Sequence, residues 1–144
     1  MNRMTMLTAC ALTAGLAAAM APPVQAETAK LTLTVTDIAN HQGALMIAVH
    51  DEANYDGQPV TATMTQVSGD TATATFDGLA PGKYAIKMFH DVDGDGEMDT
   101  NPFGIPTEPY GFSNNAAGQF GPAKWADAAF DVGADGASHT ISLK

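Results

Sequence analysis

The sequence predicts an all-β protein: a single antiparallel β-sandwich of about seven short strands with one long ordered loop. Three observations predict it. Runs of alternating apolar and polar residues recur along the chain; Gly, Asp, Asn and Pro separate them; and no segment after residue 26 sustains a helical period. With 144 residues, 45% of them apolar, there is material for one core and little room for a second domain.

The first strand is read from Leu31 to Thr36, where Leu31, Leu33 and Val35 share one face and three threonines the other. Further strands are expected at 44–50, 60–67, 71–76, 83–90, 126–132 and 138–143, with Ser68-Gly69-Asp70 as a hairpin turn. The exception is 91–124, which contains no convincing strand and holds four of the eight prolines. Loops this long are functional or disordered. Phe103, Ile105, Tyr110, Phe112 and Phe120 favour order, because aromatic and branched side chains at this density bury.

Residues 1–26 have the form of a secretory signal: Arg3, an acid-free apolar run from Met4 to Met20, and Val24-Gln25-Ala26 with small residues at the −3 and −1 positions. Two alternatives are weaker. Pro22 and Pro23 end the run, and no basic cluster follows to retain it as an anchor. Leu7-Thr8-Ala9-Cys10 resembles a lipoprotein cleavage box, but its preceding apolar stretch is short. The expectation is therefore a signal peptide at 1–26 and a β-sandwich domain at 27–144, periplasmic or secreted. The mature chain would lose the only cysteine, Cys10, and with it thiol chemistry and disulfides. It has no stretch that would span a bilayer.

Six basic residues against sixteen acids give a net charge of −10, and losing Arg3 makes the mature chain more acidic still. A surface of that sign does not track phosphates, so nucleic acid is excluded as a leading partner and anionic membranes are disfavoured. The acids concentrate in Asp91-Val-Asp-Gly-Asp-Gly-Glu-Met-Asp99. Set against the twelve-residue calcium loop, Asp91, Asp93 and Asp95 take positions 1, 3 and 5, Gly96 the sharp-turn position 6, Glu97 position 7 and Asp99 position 9. A hard cation takes six to eight oxygens, and alternate residues of a tight loop converge on one point. Pro102 stands where the helix-loop-helix calcium hand has its bidentate glutamate, so this is a calcium-type loop on a β scaffold. Glu108 is the candidate for the missing carboxylate, with Asn101 second; Met98 is placed to pin the loop. The plain alternative is a solvated acidic turn. Six acids and no Lys or Arg between Asp91 and Glu108 weigh against it, since unrelieved carboxylates repel.

Other chemistry finds less support. His50 and His90 each precede an aspartate, but strand parity puts His90 on the core side and leaves His50 solvated, which opposes a shared zinc or copper site. No Gly-x-Ser-x-Gly elbow or reactive thiol is present for nucleophilic catalysis. Met46, Met64, Met88 and Met98 read as core filling. Trp125 is a candidate for stacking on a sugar ring, against the plainer role of covering a core edge.

Pro81 to Ala85, His90 to Asp99 and Gly104 to Asn115 together resemble the exported bacterial family called domain of unknown function 2141. Its motifs are a Pro-Gly-x-Tyr-Ala strand, a His-Asp acidic loop and a Gly-Ile-Pro-x-Glu-x-x-Gly-Phe-Ser-Asn-Asn segment. The resemblance implies an exported β-sandwich and carries no assigned activity. Leu79 to Tyr84 is also similar to transthyretin-like and collagen-adhesin B-type sandwiches of Ig-like form, a weaker likeness. The function expected is an exported binding or structural module that binds calcium, its partner an envelope ligand or protein. The alternative is a cell-envelope hydrolase of glycan or peptide with 91–115 as the active-site wall. Tyr110, Asn114 and Asn115 are the candidate ligand contacts, in a segment expected to close over the acidic loop.

Overall fold

Alternation carries most of the chain into strands, and the turn residues end them. In the computed structural model, Ala21 and residues 23–144 are described; the apolar run of the expected leader, residues 4–20, lies outside them. The strands are β1 (Ala29–Thr36), β2 (Ala44–His50), β3 (Thr61–Gln66), β4 (Ala72–Leu79), β5 (Gly82–Asp91), β6 (Tyr110–Phe112), β7 (Phe130–Val132) and β8 (Ala137–Ser142). They form two sheets, one ordered β4-β1-β8 and the other β3-β2-β5-β6, with β7 also on β5. The all-β sandwich that the alternation predicts is the fold.

Between the sheets lies the core. Leu31, Leu33 and Val35 of β1 face Leu45, Ile47 and Val49 of β2 and Ile86 and Met88 of β5, with Phe76, Val132 and Ile141 around them. Each such side chain contributes about 1.5–3 kcal/mol by leaving water. Tyr84 anchors the entry to β5, its hydroxyl donating to the Ala80 carbonyl at 2.7 Å across Pro81-Gly82, the tyrosine-corner arrangement of sandwich folds.

Four expectations need correction. The long loop contains a strand after all: β6 pairs with β5 in the register Lys87↔Phe112, Met88↔Gly111, Phe89↔Tyr110. Residues 126–132 are one helical turn, α1 (Trp125–Ala128), followed by the short β7. Ser68-Gly69-Asp70 does not close a hairpin, because β3 and β4 belong to different sheets and the segment arches between them. The sandwich is also not wholly antiparallel: β1 and β8 run parallel, from Leu31↔Ala137 to Thr36↔Ser142.

The two outer faces differ. On the small sheet the cross-strand rows are hydroxylic, Thr75-Thr32-Ser138 and Thr73-Thr34-Thr140. On the large sheet they read Met64-Met46-Phe89-Tyr110 and Ala62-Ala48-Lys87-Phe112. Apart from Lys87, His50 and the threonines of β3, this sheet is apolar on both sides.

One side of β5 is shared, β7 pairing with Gly82 to Tyr84 and β6 with Lys87 to Phe89. Between them the Ile86 N–H is exposed by the ladder, and the fully buried Ser113 fills the gap. Its Oγ accepts from Ile86 N at 2.8 Å and donates to the Ala128 carbonyl, tying β5 to α1. Ser113→Ala leaves both backbone groups buried and unpaired, and is expected to cost about 1–3 kcal/mol of unfolding free energy in urea titration.

Candidate metal centre

The acidic loop begins where β5 ends. Asp91, only 3% exposed, is the last residue of that strand. Its Oδ1 accepts from Gly94 N at 2.8 Å and its Oδ2 from Gly96 N at 2.9 Å. Asp93 Oδ1 accepts from Asp95 N at 3.2 Å, and Asp95 Oδ1 from Glu97 N at 2.8 Å. The chain thus winds around its own carboxylates. Gly94 and Gly96 permit this with φ of 81° and 82°, where a side chain is strained. Gly43 is required for a different reason: a Cβ there would stand 2.0 Å from the Asp91 carbonyl oxygen, so only glycine lets the β1–β2 connection pass behind the loop.

Glu108 comes to the same place. The β5–β6 register, continued two residues beyond Phe89↔Tyr110, sets Glu108 opposite Asp91, and His90 N donates to the Pro109 carbonyl at 2.8 Å. Glu108 is buried; its Oε1 accepts from Val92 N at 2.8 Å and its Oε2 from Asp99 N at 3.2 Å. Two carboxylate groups result, Asp91–Asp93–Asp95 and Asp93–Asp99–Glu108, each with ligand oxygens within 4.8 Å of one another. Asp93 belongs to both. Crowding has an electrostatic consequence: Asp99 is pushed above the ordinary carboxylate range, first by the charge of Asp93, then by partial desolvation and by Asp95, Glu108 and Asp91. Such a set of hard oxygens is able to hold a metal ion.

The remaining candidates divide. Glu97 is exposed and its carboxylate is in neither group. Asn101 turns inward on its own loop, Oδ1 accepting from Phe103 N and Ile105 N. Tyr110 packs edge-on against Phe112, with ring centroids 5.8 Å apart. The Asn114 carboxamide donates to the Asp127 and Ala129 carbonyls, and Asn115 Oδ1 accepts from Ser142 N. These asparagines fasten the end of the long loop to α1 and β8, both taking φ near +55° as Asn tolerates. So of the segment expected to close over the acidic loop, the structure brings Glu108 to the cluster and directs the Asn114 and Asn115 side-chain bonds elsewhere.

His50 and His90 do lie on opposite faces, and neither belongs to a metal-capable group among the described residues. His50 is buried rather than solvated: Nδ1 donates to the Asn54 carbonyl at 2.9 Å and the ring meets Tyr55 edge-on. His90 Nε2 donates to the Gln42 carbonyl at 2.6 Å. Trp125 packs against Tyr55 at 5.5 Å in a second apolar cluster with Ala85, Phe112 and Ala123, covering a core edge. The sequence reading missed Ser113 and Gly43, whose roles arise from backbone neighbours distant in sequence.

The fold and this loop together define a class: a small β-sandwich with a carboxylate cluster that could hold a metal ion. The chain belongs to DUF2141, the family described as an uncharacterized protein conserved in bacteria, which it matches over residues 33–141. Comparison with curated proteins gave no match, and comparison with solved structures gave none.

The loop's far end supplies a pH prediction. Asn114 N donates to His139 Nε2 at 2.9 Å, so that nitrogen carries no proton, and burial against the stacked Phe130 holds His139 below its ordinary value. A base with a lowered folded value contributes stability that is complete above its unfolded value of about 6.5 and is lost as pH falls through the lower folded one. Unfolding free energy is expected to fall on acidification below about pH 6.5, and this component should be absent from His139→Phe. Urea titrations of both proteins across that range check it.

Proposed function

We propose that the protein is an exported binding or structural module whose 91–108 loop takes up calcium. The observation that supports this most is the position of Glu108: a glutamate far along the chain is carried by strand pairing onto an already acidic loop, adding negative charge where it is electrostatically costly. In a solvated turn the same carboxylate would serve only to accept from Val92 N and Asp99 N, at the cost of that repulsion. A cation offsets the repulsion, and the number of carboxylates suits calcium better than magnesium, which keeps more of its water. The form of residues 1–26 supports export to the periplasm or beyond. The hydrolase alternative is less well served, because the two buried carboxylates, Asp91 and Glu108, are each engaged by two backbone N–H groups.

Thermal unfolding of residues 27–144 in EGTA, then with calcium or magnesium, tests the ion. At a hundredfold excess over Kd, a ligand stabilises by about 2.7 kcal/mol, a rise in Tm of roughly 10 °C for a domain this size. Asp93→Asn retains an oxygen for Asp95 N and is expected to lose the calcium-specific rise while keeping its far-UV spectrum. Asp99→Asn is expected to be more stable than the parent in EGTA at neutral pH and less stable in calcium. Equal Tm values with and without calcium would refute the assignment.

A further inference from the structure

The outer face of the large sheet is a cleft. Its floor is formed by the rows containing Met64, Met46, Phe89, Ala62, Ala48 and Lys87; its rim carries Met98, Phe103 and Ile105 on one side and Phe120 on the other. The volume is about 1080 Å³, at the upper limit of small-molecule sites, which are mostly apolar with a few placed polar groups. Exposed apolar side chains gather here: of six large ones among the described residues, Met64, Phe103, Ile105 and Phe120 line this cleft. Phe120 stands fully in solvent at φ 58°, a conformation that is strained for a bulky residue. Three of the four methionines expected in the core are here instead, and their flexible thioethers suit a ligand without fixed shape.

Lys87 sets the chemistry. Among the described residues it is the only Lys or Arg on the lining, where the one other basic group is His50. Its ammonium donates to the Tyr55 carbonyl and lies 3.9 Å over that ring, and among the described residues no carboxylate makes a salt bridge with it, although Asp56 acts on it from a distance. A neutral ligand spread over this floor would strip water from an ammonium that no carboxylate pairs, whereas a ligand carboxylate supplies that partner. A second copy of the chain is disfavoured, because each carries −10 and the acidic loop borders the face.

We propose that this cleft binds a free fatty acid, its alkyl chain on the Met64-Met46-Phe89 row beneath Phe103, Ile105 and Phe120, and its carboxylate at Lys87. Met98, Phe103 and Ile105 of the rim lie in the 91–108 loop, whereas Lys87 and the Met64-Met46-Phe89 row lie on β2, β3 and β5 outside it, and titration in EGTA reads fatty-acid binding without calcium at the loop. Calorimetric titration of the mature chain with laurate is expected to show saturable one-to-one binding, with lauryl alcohol at least tenfold weaker. Lys87→Met should remove that preference while retaining the alcohol, and Phe120→Ser, a change at an exposed position, should weaken both. Absence of saturable binding, equal affinity for acid and alcohol in the parent, or a sedimenting dimer whose formation Phe120→Ser abolishes would each overturn the proposal.

Discussion

The pairing of β6 with the end of β5 is the constraint from which the acidic loop and the outer face of the large sheet follow. Three residues of ladder, Tyr110–Phe112, decide which side chains the long excursion presents and where. Continued one way, the register delivers Glu108 to Asp91. Continued the other, it delivers Ser113 to the unpaired Ile86 N–H, and through Ser113 the helical turn α1 is fastened to the sheet. A slip of one residue would invert both, placing Glu108 on the other face and an unfilled gap beside β5. Few ladder bonds hold this register, so buried side-chain bonds at either end contribute much of its precision.

The same ladder completes the second apolar surface. Phe112 and Tyr110 extend the rows begun by Ala62 and Met64 across β2 and β5, so the large sheet presents apolar side chains to core and cleft alike. The small sheet closes the other side of the core and turns threonines and serines outward. The molecule is therefore polar on one broad side and apolar on the other, with the acidic loop at the edge between them. Met98, Phe103 and Ile105 belong to the cleft rim while Asp99 and Glu108, a few residues away, belong to the carboxylate cluster.

The fold class was legible because alternation survives in β1 and β5, where one face is buried by non-local contact and the pattern records it. β6 was not legible: three residues carry too little periodicity, and the surrounding prolines read as loop. The parallel partnership of β1 and β8 leaves no local trace, since it joins segments about a hundred residues apart. At the site, the spacing of Asp91, Asp93 and Asp95 was enough to mark a coiled acidic loop; Glu108 was a candidate as the one later acid of the excursion, but nothing in the sequence forces it back, and the β5–β6 register is what brings it there. The cleft had a sign that went unused. Ala44-Leu-Met-Ile-Ala-Val49 is apolar at both parities, the mark of a strand covered on two faces.

The parallel pairing of the first and last strands bears on how the chain reaches this state. β1 lies in the middle of the small sheet, yet one of its two neighbours is β8, the final strand. A chain emerging from its N-terminus holds Leu31, Leu33 and Val35 against an open edge until Ala137–Ser142 has followed. Closure of the small sheet waits for nearly the whole polypeptide, and such distant pairing folds slowly. The order of the small sheet therefore makes its last strand, and not its first, the one that completes it.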